Sequence, residues 1–208
     1  MTSDLGVTVH NPRRMRGYKV LFLGYDRQMT CLIDALLDAL CEVHQTADKI
    51  PHGDYDLVVS FGYRHLIKAE MMDSLRCPVI NLHISYLPFN KGAHPNFWSF
   101  YENTPAGVTI HKIDEGIDTG PILYQKRVHF AKTDVTFADT QKRLIEQVEQ
   151  LFCDRLPEII AHDWDLKPQV GTGTIHFKRD LPQDFRGWHS IIEDEITRLQ
   201  KIAGTTDA

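Results

Sequence analysis

The sequence predicts an α/β protein: an open, doubly wound, mostly parallel sheet followed by a short C-terminal tail of irregular or β form. Three observations predict it. YKVLFLGY (18–25), DYDLVVSFGY (54–63) and CPVINLHIS (77–85) are short apolar runs that read as strands buried on both faces. TCLIDALLDALCEV (30–43) and LIKAEMMDSL (66–75) lie between them with apolar residues at helical spacing. Strand, helix, strand, helix, strand in that order argues right-handed crossovers within one sheet.

The later elements extend the pattern. HPNFWSFYENTP (94–105) reads as a helix that Pro105 ends. GVTIHKID (107–114) alternates Val108, Ile110 and Lys112 against Thr109, His111 and Ile113, as a strand does, and ILYQKRVHF (122–130) is similar. DEGIDTGP between them is a turn rich in Gly and Asp. Residues 136–160 carry the longest helical pattern, with Thr136 or Asp134 as its cap and Pro157 interrupting its last turn. Residues 1–17 are expected to be a loosely ordered extension. A soft boundary near 164 sets off the tail, 164–208, which is expected to hold a hairpin and a helix.

Bulk composition narrows the function. The chain has 208 residues, 42% of them hydrophobic, enough for one good-sized core. Net charge is -5, and the Lys and Arg residues are scattered, with NPRRMR too short for a binding arm. Nucleic acid is therefore not an expected partner. Four cysteines without a CxxC suit reduced, packed thiols and a cytoplasmic location. The N-terminus has no apolar signal region, and no apolar run approaches ~20 residues, so neither a leader nor a membrane helix is expected.

In an open α/β sheet, ligands bind beyond the carboxyl ends of the strands. The third apolar run ends on Asn81 and His83, which period two places on one face. An amide can polarise a carbonyl, and an imidazole can move a proton near neutral pH. Asp114, Glu115 and Asp118 share the acidic turn, and a carboxylate there can orient the imidazole or accept a proton. A metal reading of His83, His94, His111 and Asp118 matches no compact zinc signature, so no metal is expected.

NLHISYLPFNKG (81–92) followed by GVTIHKIDEGIDTGPIL (107–123) resembles the formyltransferases that use 10-formyltetrahydrofolate, over roughly residues 18–160. The resemblance makes 18–163 the catalytic domain. It implies that Asn81 holds and polarises the formyl oxygen and that His83 stabilises the developing charge. Asp118 would position His83 and serve as base for the attacking amine. It also implies a folate slot formed by Phe61, Gly62, Tyr63, Leu66 and Ile67, with Ile113, Asp114, Glu115 and Gly116 opposite.

FLGYDRQMT after the first strand carries one Gly, and so lacks the Gly-rich phosphate loop of glycinamide ribonucleotide enzymes. The acidic balance and the length of 208 residues disfavour a methionyl-tRNA enzyme. The expected acceptor is a small primary amine, an amino sugar on a nucleotide. Tyr86, Asn90, Lys91, His94, Asn96 and Trp98 are the residues expected to read it. A formyl-folate hydrolase using water on the same three residues is the alternative chemistry. The tail, with His176, Phe177, Lys178 and Arg179, is expected either to close the site or to pair with a second copy in a homodimer.

Overall fold

The computed structural model describes residues 6–10, 17–130 and 135–206. Its strands are β1 (Thr8–His10), β2 (Lys19–Gly24), β3 (Glu42–Thr46), β4 (Leu57–Phe61), β5 (Val79–His83), β6 (Lys91–Gly92), β7 (Gly107–Lys112), β8 (Ile122–Arg127) and β9 (Ile175–His176). Its helices are α1 (Leu32–Asp38), α2 (Ala69–Leu75), α3 (Pro95–Tyr101), α4 (Phe137–Asp154), α5 (Leu156–Ile160) and α6 (Ile192–Thr206). The main sheet runs β1-β3-β2-β4-β5-β7-β8. The neighbours β3, β2, β4 and β5 are parallel, whereas β1, β7 and β8 join antiparallel.

Alternation along β2 explains the two layers around the sheet. Val20 and Phe22 point to one face, where they pack with Leu32, Ile33 and Leu36 of α1 and Leu144, Val148 and Phe152 of α4. Leu21 and Leu23 point to the other, where they pack with Val58, Val79 and Leu75 of α2. Both faces are buried, which is why these strands read as continuous apolar runs.

The boundary of α1 differs from the expected helix over 30–43. The helix stops at Asp38, Leu40 takes the left-handed region at φ 63°, and the chain enters β3. Cys41 N–H closes back on the Leu36 carbonyl at 3.0 Å, a helix stop of the kind glycine usually supplies. With Leu there instead, the sequence carried no stop signal, and β3 was absorbed into the helical pattern. Within the extension expected to be loose, Thr8–His10 pairs with β3 as an edge strand. Asp134, the second candidate cap, lies outside the described residues.

Thr136 caps α4. Its hydroxyl accepts from Asp139 N–H at 3.2 Å, and the Asp139 carboxylate accepts from Thr136 N–H at 3.1 Å. Thr136→Ala is expected to lower unfolding stability by about 1 kcal/mol, measured by urea titration. The long helical pattern breaks at Arg155, and Pro157 sits in the first turn of α5, where its missing N–H is harmless.

Among its described residues the tail does not form the expected hairpin. Its strand β9 lies parallel to β6, a segment of the loop after β5. The expected helix is present as α6. Phe97, Trp98, Phe137, Ile192 and Leu199 form a separate apolar cluster, with Phe185 and Trp188 packed against it, and this ties the tail to α3 and the start of α4. No described helix is long and apolar enough to cross a membrane.

Candidate active site

The site lies at the carboxyl ends of β4 and β5, as sheet topology predicts. Antiparallel pairing sets Asn81 of β5 directly opposite His111 of β7. The chain then turns through 113–121 and returns as β8, closed by Lys112 N–H to the Pro121 carbonyl at 2.9 Å. Within that turn, Asp114 bonds Gly116 N–H at 3.1 Å and the Thr119 hydroxyl at 2.6 Å, so its carboxylate shapes the turn. Asp118 sits at φ 51° and projects back over β5 and β7.

Four side chains meet there. Asp118 Oδ1 lies 3.3 Å from Asn81 Nδ2 and 3.4 Å from His111 Nε2. Asp118 Oδ2 accepts from Gly92 N–H at 2.8 Å and lies 3.6 Å from His83 Nε2. Burial acts to raise the Asp118 pKa. Positive charge at His83, a hydrogen bond and charge from His111, and Gly92 N–H outweigh that and hold the carboxyl well below the usual range.

Hydrogen-bond logic assigns the ring nitrogens. His83 Nε2 is 3.2 Å from the Asn90 carbonyl, which only accepts, so Nε2 carries a hydrogen. Nδ1 is then the nitrogen left for a ligand in the cleft, which His83 lines. His111 Nδ1 lies 2.9 Å from the Lys112 carbonyl and is likewise a donor. In its neutral form, His111 Nε2 accepts from Asn81 Nδ2 at 3.2 Å. That spends both Asn81 hydrogens, one on His111 and one on Asp118, and leaves Asn81 Oδ1 as the atom free for a ligand. Turning the amide over would set Oδ1 against the Asp118 carboxylate, unless a proton on His111 Nε2 lay between them. The polarising role expected of Asn81 is thus coupled to the charge on His111.

These groups lie on the floor of a cleft of about 540 Å3. Phe61, Gly62, Tyr63, Leu66 and Ile67 line it, as do Ile113, Asp114 and Gly116. Glu115 is not among the lining residues. Gly62, at φ 71°, leaves room for the Tyr25 ring, which a Cβ there would meet at 2.4 Å. From the tail, His176, Phe177 and Lys178 close one end of the cleft.

None of the six residues expected to read the acceptor lines this cleft; the loop presents Gly92, Ala93 and Pro95 instead. Asn90 is buried, and its amide bonds the hydroxyls of Thr104 at 2.8 Å and Thr174 at 3.1 Å. Asn96 is buried and donates to the Phe137 carbonyl at 2.8 Å. Trp98 is buried and stacked on His176, ring centroids 3.9 Å apart. Tyr86 packs over Gly107, and Lys91 pairs through its backbone with Ile175. His94 lies against Trp188, and burial together with the charge of Lys178 lowers its pKa.

His111 is the site residue whose place at the Asp118 carboxylate the sequence did not reveal. Its spacing in GVTIHKID marks a strand, and only the β5–β7 register sets it beside Asn81. Among the described residues, no group of three or more His, Cys, Asp or Glu side chains is placed to hold a metal ion.

The formyl transferase family model matches residues 39–156. The dTDP-4-amino-4,6-dideoxyglucose formyltransferases of Mycobacterium bovis and Mycobacterium tuberculosis are 29% identical over 143 residues, covering 69% of this chain and 59% of theirs. The chain thus spans 59% of the length of the curated relatives it matches. The formyltransferase PseJ from Anoxybacillus kamchatkensis was crystallised with UDP-4,6-dideoxy-4-formamido-L-AltNAc and tetrahydrofolate. It superposes with a TM-score of 0.76 at 39% identity, covering 84% of this chain and 96% of that one. An N-formyltransferase from Helicobacter canadensis has a TM-score of 0.70 at 18% identity, over 88% of this chain and 82% of its own, and shares the fold. With its match covering more than half of the sequence, and with a parallel-centred sheet that carries the Asn, His and Asp of the motif into one cleft, this chain belongs to the formyl transferase family.

Proposed function

We propose that this protein is an N-formyltransferase that moves a formyl group from 10-formyltetrahydrofolate to the primary amine of a small acceptor, a nucleotide-linked amino sugar. The observation that carries the reading is the Asp118 carboxylate, held by Gly92 N–H and facing Asn81 and His83 in a mainly apolar cleft. The relatives named for formylating an amino sugar, and the one crystallised with tetrahydrofolate and a formamido sugar nucleotide, support the donor and acceptor classes. Phe61, Ile67 and Ile113 offer an apolar slot that suits a flat reduced-folate ring, in a volume typical of small-ligand sites. The four free thiols support a cytoplasmic setting.

When bound, the donor supplies an activated one-carbon acyl group. An ammonium has no lone pair, so the acceptor must shed a proton to attack. Asp118, ionised far below neutrality, is a weak proton acceptor, so the base role that the resemblance implied for it passes to His83, whose positive charge it strongly stabilises. The ammonium proton passes to water, and once the amine nitrogen bonds the formyl carbon His83 Nδ1 takes the second proton from it, holds it as an imidazolium paired with Asp118, and offers it to the departing nitrogen as that bond breaks. Asn81 Oδ1 accepts an N–H of the amine and aims its lone pair. When His111 is charged, the Asn81 amide can turn over, and its Nδ2 then faces the oxygen that gains charge.

The test is tetrahydrofolate release from 10-formyltetrahydrofolate, with and without dTDP- and UDP-linked amino sugars, glycinamide ribonucleotide and methionyl-tRNA. Release that requires an amino-sugar nucleotide is the expected result. Release that needs only water would make the protein a hydrolase. Dependence on either of the other two amines would overturn the acceptor class.

A further inference from the structure

We infer that residues 167–178 form a brace that sets the position of Asp118, with Gln169 as its positioning residue. The inference rests on Asp118 being the functional carboxylate proposed above. The segment lies beyond the family match, which ends at residue 156, and in PQVGTGTIHF nothing marks Gln169 as functional.

Three contacts make the brace. Lys167 and Ile122 exchange backbone hydrogen bonds at 2.7 and 2.9 Å, which anchors the segment to the start of β8. Gln169 then crosses the acidic turn, and its Nε2 donates to the carbonyls of Asp118 at 2.8 Å and Gly120 at 2.9 Å. Further on, the Thr174 hydroxyl accepts from Asn90 N–H at 2.8 Å, and β9 pairs with β6. Gly92 lies in β6, and its N–H holds Asp118 Oδ2. The segment therefore grips Asp118 twice, at its backbone through Gln169 and at its carboxylate through Gly92.

Asp118 needs such a grip because its left-handed backbone, which Asp tolerates better than most residues with a side chain, is still less favoured than the ordinary regions. An unsupported turn would relax, and the carboxylate would swing away from His83 and Gly92. The orientation of Gln169 is itself determined. Both Nε2 hydrogens meet carbonyl oxygens, and a reversed amide would oppose oxygen to oxygen. The cost is visible, since Gln169 Oε1 is buried without a partner. A side chain that merely filled space would not need to orphan an acceptor in this way.

The test compares Gln169→Met, which keeps the volume without a donor, with Gln169→Glu, which keeps the shape but turns an acceptor toward two carbonyls. Both are assayed on the full chain for formyl transfer to the acceptor found above, beside Asp118→Asn. The expected result is a fall in kcat of about 10²-fold in both Gln169 variants, the cost of a misplacement near 1 Å, with KM for both substrates little changed. Wild-type kcat in Gln169→Met, or an effect confined to KM, would overturn the brace. An active Asp118→Asn enzyme would instead overturn the role given to Asp118.

Discussion

Asp118→Asn is expected to lower kcat by roughly 10²–10⁴-fold, the range that a positioned acid–base group contributes, because His83 then has to hold the proton without the charge that stabilises it, while the protein stays folded. The substitution suits this position. Asn tolerates the left-handed backbone as well as Asp does, and its carbonyl oxygen can still accept Gly92 N–H. The negative charge is removed together with the Oδ1 acceptor that faces Asn81 Nδ2, so a loss of turnover reports the carboxylate and not the turn. The same variant tests the electrostatics. A carboxyl held below its unfolded value binds fewer protons in the native state than in the unfolded chain. It therefore contributes stability that is fully present above about pH 4 and is lost as pH falls from there toward its native value. Asp118→Asn should flatten that acid part of the unfolding-stability profile, read by urea titration at several pH values. An unchanged acid profile would mean that His83, His111 and Gly92 do not hold the carboxyl down.

Phe137→Ala is expected to cost about 3–5 kcal/mol of unfolding stability, the range for removing a fully buried aromatic ring. Phe137 stands at the first turn of α4, with ring centroids 5.5 Å from Phe97, 6.1 Å from Phe100, 5.4 Å from Phe185 and 6.5 Å from Trp188. Those partners come from α3 and from the tail, so the ring joins three separate parts of the chain. Each well-placed aromatic pair adds roughly 0.5–1.5 kcal/mol beyond area burial. The Phe137 carbonyl also accepts from buried Asn96, and backbone shifts into the cavity would disturb that bond. Denaturant unfolding measures the loss. A change below about 1 kcal/mol would mean that neighbouring rings collapse into the space and that the tail is held elsewhere.

The elements that could be read from the sequence are those whose signal is local. β2, β4 and β5 announce themselves as apolar runs because they are buried on both faces. α4 does so through its spacing and through the Thr136 cap. The end of α1 was not readable, because Leu40 adopts a conformation that composition assigns to Gly or Asn. β3, with sequence EVHQT, carries one buried aliphatic residue, Val43, and so could not separate itself from the helix before it. At the site, period two put Asn81 and His83 on one face, while the turn offered Asp114, Glu115 and Asp118 alike and only the family resemblance singled out Asp118. The six residues expected to read an acceptor do not line this cleft: the loop after β5 pairs with the tail, Asn90 is buried, and Gly92 and Ala93 line the cleft instead.

By itself the sequence determined the parallel core of the sheet and the long capped helix, since strand period and capping act over a few residues, and it set an amide, an imidazole and an acidic turn in the order that the family resemblance requires. The tertiary structure alone decided that His111 stands against Asn81, that Gly92 N–H reaches Asp118, and that Gln169 crosses to the same turn from 51 positions away. Those contacts depend on strand register and on where a distant segment docks. Both are settled by summed burial over the whole chain, and no short stretch of sequence encodes them.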